Sequence, residues 1–145
     1  MHIVFNMSLP RDALSVPVAR RICRDALRTL GVTQPCVDDI ELAVTEACTN
    51  VLKHAGSNGH YDVELEIGQG ISTITVTDTG SGFSVAAPMS TVMEPQESGR
   101  GIHLMTALVD ALRFSSRVDK GTTVQLEKGL VLKNDSILQQ LSSAN

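Results

Sequence analysis

Glu46-Ala47-Cys48-Thr49-Asn50-Val51-Leu52-Lys53-His54-Ala55 is the stretch from which the rest of the chain is read. Val51 closes an apolar stripe begun by Val37, Ile40, Val44, Ala47 and Cys48. That three- and four-residue spacing predicts one helix, started by Thr33 with Pro35 and running to about Ala55. Glu46 and Asn50 stand four apart, so their side chains stack on one face, and Lys53 and His54 continue that face a turn further on. An exposed Glu and Asn on a helix mean nothing by themselves. Thr45, Thr49 and Asn50, however, are mediocre helix formers in a helix packed at both shoulders.

Two glycine motifs follow. Asp78-Thr79-Gly80-Ser81-Gly82 stands after a β-prone run, and Gly99-Arg100-Gly101 opens a second helix, Ile102–Leu112. As bare patterns both are common, the first in hairpin turns and the second as a hinge. Their chemical readings are specific. A carboxylate at Asp78 would accept a hydrogen bond from an adenine amino group, and glycines at 80 and 82 would let the backbone approach the ring. The free N–H groups at the start of the second helix would favour phosphate. Magnesium takes hard oxygen donors and keeps several waters, so the Asn50 carboxamide oxygen with the phosphates would suit it. Glu46 would then stand near the terminal phosphate, placed to accept a proton from an attacking hydroxyl or water.

Outward from these motifs, Ile3–Leu9 reads as a strand. Ser15 with Pro17 signals a helix start, and Val16, Ala19, Cys23, Ala26, Leu27 and Leu30 carry that helix to a stop at Gly31. Arg20, Arg21, Arg24 and Arg28 fall mostly off its apolar stripe and form either a solvated face or a docking face. After the break at Gly56-Ser57-Asn58-Gly59, Tyr61–Ile67 and Ile71–Thr77 alternate as two antiparallel strands joined by Gly68-Gln69-Gly70. Phe83 to Ser98, with Pro88 and Pro95, reads as a loop placed where a mobile lid would be. Gly101–Leu112 reads as an apolar helix. Arg113–Arg117 and Gly121–Glu127 read as a hairpin turning at Asp119-Lys120, and Ser136–Leu141 as a short tail helix. The expected fold is α+β: one domain over 1–145, a two-layer sandwich with helices on one face of a mixed sheet.

Bulk properties narrow the function classes. The 145 residues suit one core, and 42% hydrophobic with 19% charged is a globular composition. A formal charge of −4 without a basic run argues against sequence-independent nucleic-acid binding, and three Phe, one Tyr and no Trp leave few bases a stacking platform. No apolar run approaches the roughly 18 residues of a membrane span, and the N-terminus does not read as a signal peptide. Cys23, Cys36 and Cys48 are odd in number and fall in no CxxC pattern, which fits reduced, structural thiols in a cytoplasm. His54 and His60 match no zinc spacing; for His54 a packing role beside the magnesium site is the better reading. His2 and His103 have no evident partner.

In order and spacing these motifs resemble the N, G1 and G2 boxes of the Bergerat-fold (GHKL) ATPases, over about residues 37–127. The wording E-A-x-x-N-x-x-x-H-A, the helix Gly-Ile-His-Leu-Met-Thr-Ala-Leu-Val-Asp and the strand start Leu-Arg-Phe are most similar to the anti-sigma-factor serine kinases. So is Gly121-Thr122-Thr123-Val124, where that family carries Gly-Thr on the strand beneath the adenine. With no phosphoacceptor-histidine helix pair ahead and no transducer domain behind, the sensor-kinase, gyrase, chaperone and mismatch-repair branches fit less well. The resemblance implies ATP and Mg²⁺ as cofactors, Glu46 as catalytic base and Asn50 as metal ligand. It implies nucleotide contacts from Asn50, Lys53, His54, Asp78, Gly80, Gly82, Gly99, Arg100, Gly101, Ile102 and Thr122. It further implies phosphorylation of a serine on a STAS-type anti-anti-sigma partner, a sigma factor as second partner, and a homodimer formed through the N-terminal strand and helix. One departure stands out: where the family often has a basic residue before the second glycine box, this chain has Gln96-Glu97-Ser98. Arg100 is the candidate replacement. Without one, a non-catalytic nucleotide-bound regulator is the alternative, and a stand-alone hydrolase using Glu46 on water ranks last.

Overall fold

The computed structural model describes residues 1–54, 59–78, 87–90, 99–117 and 121–143, with backbone alone for 54, 87–90, 99, 100, 117, 142 and 143. In chain order the elements are β1 (His2–Pro10), α1 (Ser15–Thr29), α2 (Gln34–His54), β2 (His60–Gly68), β3 (Ile71–Asp78) and β4 (Ala87–Ser90). They continue with α3 (Gly99–Leu108), β5 (Ala111–Arg117), β6 (Gly121–Gly129) and α4 (Ile137–Ser143). The strands form one sheet in the order β1-β2-β3-β6-β5-β4.

Each strand buries alternate residues. Tyr61, Val63, Leu65 and Ile67 of β2 and Ser72, Ile74, Val76 and Asp78 of β3 lie on the covered face. Thr122, Val124 and Leu126 of β6 continue it, as do Leu112, Phe114 and Ser116 of β5. Onto this face α2 sets Val37, Ile40, Val44, Ala47, Cys48 and Val51, every one buried, while α1 packs on α2 through Ala19, Cys23 and Leu27. The helices therefore sit over one face, as the two-layer reading has it.

Three local expectations change. All five strand pairings are antiparallel, so the sheet is not mixed. The α3 crossover returns β5 beside β6 in a hairpin, and β6 thereby meets β3 running the opposite way. Residues 87–90, expected in a loop, pair with β5 as an edge strand of irregular register. An edge tolerates Pro88 because a missing N–H costs no ladder bond there. The third helix stops at Leu108 rather than Leu112, where the Lys128 ammonium donates to the Leu108 carbonyl at 2.7 Å and the Asp110 N–H to Glu127 at 2.8 Å. Leu112 is apolar for the sheet, not for the helix, and pairs with Leu126. The first helix starts at Ser15, as read. Leu14 holds the cap position with no side-chain bond, and the buried Ser15 hydroxyl lies 2.6 Å from the Tyr61 hydroxyl.

The tail pins the α1–α2 turn. Val32 bridges Leu132, the Leu138 N–H donates to the Leu30 carbonyl at 3.2 Å, and Leu138 is buried. Gly31 has φ +86°, and a Cβ there would stand 2.3 Å from the Ser136 Cβ. Gly31→Ala should therefore destabilise the fold by at least about 2 kcal/mol, combining left-handed strain with overpacking. Urea unfolding would measure it; an unchanged midpoint would mean the tail does not press on the turn.

Candidate functional site

The covered face is mostly apolar; Ser72, bonded to the Lys128 carbonyl at 3.0 Å, is buried at one end of β3, and a larger polar group stands at the other. There Asp78 closes β3 with no exposure at all; in the ladder it opposes Thr122, which opposes Ser116. All three are buried, and the Ser116 and Thr122 hydroxyls lie 3.0 Å apart. The Arg11 guanidinium, carried in from the end of β1, forms an ion pair with Asp78. Beyond that pair neither Asp78 oxygen has a hydrogen-bond partner among the described residues.

The C-terminal half of α2 reaches the same end, because β2 starts soon after α2 finishes and the start of β2 pairs with the end of β3. The threonines of this half are satisfied within the helix: Thr45 donates to the Glu41 carbonyl at 2.9 Å and Thr49 to the Thr45 carbonyl at 2.8 Å. Such back-bonding lets threonine sit in a helix without a partner elsewhere. Asn50 differs. It is 4% exposed, and its Oδ1 has no hydrogen-bond partner among the described residues. An unsatisfied buried carboxamide oxygen costs about 1–3 kcal/mol, so the surface-asparagine reading does not hold, and the atom is suited to a ligand that comes and goes. One turn earlier, the Glu46 carboxylate lies against the start of α3: a Cβ on Gly101 would stand 2.8 Å from Glu46 Oε2. Only a glycine at 101 leaves that carboxylate where it is. No acidic residue of α3 itself occupies its first turn, so the negative group facing that helix start among the described residues is the Glu46 carboxylate.

Glu46 thus meets Gly101 at the start of α3, Asn50 lies one turn further along α2, Asp78 pairs with Thr122 at the end of β3, and Ile102 is a buried residue of α3. Lys53 is exposed and lines a groove of about 440 Å³ with Arg20, Pro17 and Leu52, toward α1. Of His54, Gly99 and Arg100 the backbone places the residue within its helix. Gly80, Gly82, the turn at Asp119-Lys120 and, apart from β4, the lid expected over Phe83–Ser98 lie outside the described residues.

The cysteines are core residues. Burial pushes the thiols of Cys23 and Cys48 up to about 12, so both stay neutral and unreactive near pH 7. Cys36 is buried with its thiol 3.7 Å from the Gly129 carbonyl. Arg11 and Ser116 were not singled out from the sequence. Neither lies in a motif; only the register of β5 on β6 and the reach of Arg11 from β1 bring them in.

Comparison with known proteins adds an independent line. The model of the histidine kinase-like ATPase domain family matches residues 9–128. The chain is 29% identical over 137 residues to the serine-protein kinase RsbW of Bacillus licheniformis, covering 86% of this chain and 84% of that one. It is 28% identical to the protein of the same name from Bacillus subtilis, at the same coverage. It is 35% identical over 103 residues to an anti-sigma F factor of Clostridium botulinum, covering 63% of this chain and 70% of that protein. The crystal structure of the RsbU and RsbW domains of a Mycobacterium tuberculosis protein is similar in fold, with a TM-score of 0.68 at 20% identity over 88% of this chain. This chain spans about a third of that longer one, 32%.

Asn50→Ala should weaken magnesium-dependent nucleotide binding while leaving the fold intact or slightly more stable, because alanine removes an unsatisfied polar group and favours the helix. Calorimetry with ATP, with and without magnesium, checks this. Unchanged magnesium-dependent affinity would remove Asn50 from the site.

Proposed function

The chain belongs to the histidine kinase-like ATPase domain family, and on that premise we propose that it is an ATP-dependent serine kinase with anti-sigma action. Its substrate is a serine of a STAS-type anti-anti-sigma protein, and its second partner is a sigma factor that it sequesters. The observation that carries the reading is the buried Asn50 carboxamide oxygen, without a partner among the described residues, one turn from a Glu46 carboxylate that lies against the first turn of α3.

The residues divide the work by position. Asp78 accepts the adenine amino group at the polar end of the sheet, and Thr122 flanks it on the neighbouring strand. Asn50 Oδ1 is the protein oxygen suited to Mg²⁺, the hard cation that, when bound with the phosphates, neutralises their charge. The first turn of α3 offers its N–H groups to the phosphate oxygens. Glu46 takes the proton from the attacking serine hydroxyl as the serine oxygen bonds to the γ-phosphorus. The bond from that phosphorus to the β–γ bridging oxygen breaks, and ADP leaves with the electron pair. Gly101 keeps Glu46 in place by lacking a side chain. Cytoplasmic residence accords with three reduced cysteines, and homodimer formation with β1, which lies at the sheet edge with one side unpaired.

A second reading, a regulator that holds nucleotide without transferring phosphate, is favoured by Gln96-Glu97-Ser98 where a basic residue often precedes the glycine box. The test is incubation with γ-labelled ATP and the STAS-type protein encoded nearest to this one. Label on a partner serine is expected. Nucleotide binding without any label would establish the second reading, and free phosphate alone would indicate hydrolysis.

Glu46→Gln keeps the size and helix preference and removes the base. Labelling should fall about 10²- to 10⁴-fold while folding, ATP binding and partner binding persist, leaving an inhibitor that its antagonist cannot inactivate by phosphorylation. Wild-type labelling by this variant would take Glu46 out of the mechanism.

A further inference from the structure

Asp78 and Arg11 raise a question that adenine binding alone does not answer. A carboxylate with no solvent exposure, on a face whose other buried groups are neutral, is unstable as an anion unless a cation accompanies it. Its strand neighbours do not supply one, since Thr122 and Ser116 are neutral hydroxyls bonded to each other. Arg11 does: its guanidinium is ion-paired with Asp78, and its side chain is only 10% exposed. The arginine is itself held in place. Its Nε donates to the His60 carbonyl at 3.3 Å, its backbone N–H donates to the Gly59 carbonyl at 3.0 Å, and a Cβ on Gly59 would lie 3.5 Å from its Cζ. An arginine stays charged under all working conditions, so the pair has a fixed polarity.

That polarity matters at a base. An ionised carboxylate only accepts hydrogen bonds, whereas a protonated one can also donate. An acceptor meets the 6-amino group of adenine and opposes the 6-oxo group of guanine or hypoxanthine. Without Arg11 no cation accompanies the enclosed carboxyl, so nothing fixes it as an acceptor alone, and a carboxyl that donates would meet a 6-oxo group. Resting on the reading of Asp78 as the adenine contact, we propose that Arg11 is the positioning residue that sets base specificity, by keeping Asp78 an obligate acceptor for a 6-aminopurine.

The test compares ATP with inosine triphosphate, which differs at the purine 6-position but lacks the extra amino group of guanine. Wild-type protein should prefer ATP by on the order of 10⁴-fold, as sites built to pair one polar group do. Arg11→Met and Arg11→Gln should bring the two affinities to within about tenfold, mostly by gaining inosine triphosphate. Arg11→Lys, which retains the charge, should keep the preference. A wild-type protein that does not discriminate would sink the assignment of Asp78 to adenine, whatever Arg11 does. A discriminating wild type whose neutral Arg11 variants discriminate equally well would overturn the inference alone. Should the neutral variants fail to fold, the Arg11→Met/Asp78→Asn pair decides. It has no buried charge to leave uncompensated, so its folding would support the countercharge role and its failure to fold would assign Arg11 to packing.

Discussion

One carboxylate, fully withdrawn from water at the end of a six-stranded sheet, constrains the whole molecule. Asp78 stands there with the countercharge of Arg11, which β1 delivers across the turn that leads into α1. Placing Arg11 requires β1 to pair with β2 over its full length, from His2 opposite Gly68 to Pro10 opposite His60. The same register sets Tyr61 under Ser15, and so fixes where α1 begins. The base end of the site and the packing of the first helix thus share one strand pairing.

The long α2 divides into two jobs. Its first half is fastened: the Thr33 N–H donates to the Val131 carbonyl at 2.8 Å, and Lys128 lies 3.5 Å from Asp39 while also holding the end of α3. Its second half carries Asn50, whose Oδ1 has no hydrogen-bond partner among the described residues. Stability is concentrated at one end of the layer and unsatisfied hydrogen-bonding capacity at the other. Because Lys128 anchors the far end of α3, the position of Gly101 against Glu46 depends on packing well away from the chemistry.

Much of this was legible in the sequence where periodicity is the signal. The stripe from Val37 to Val51 announced α2, and the alternation from Tyr61 to Thr77 announced β2 and β3, because burial of one face imposes those spacings. Asn50 and Glu46 were legible as a pair on one helix face. That Asn50 is buried and unsatisfied was not, since it depends on what α3 and the sheet place around it. Leu112 misled because an apolar residue fits a helix period and a strand equally well; only Asp110, bonded to Glu127 and Gly129, decides where the helix ends. The strand at 87–90 was hidden by Pro88, a strand breaker everywhere except at an edge. Arg11 gave no local signal, because its partner lies 67 residues away in the chain.

Amide hydrogen exchange with and without Mg-ATP tests the central claim, that nucleotide occupies the polar end of the interlayer space. Protection should increase at Glu46–Asn50, at the end of β3, through the first turns of α3 and around Thr122. It should be unchanged around Thr33–Asp39 and Lys128–Leu132 at the opposite end. Protection at that opposite end, or none anywhere under saturating Mg-ATP, would contradict the account.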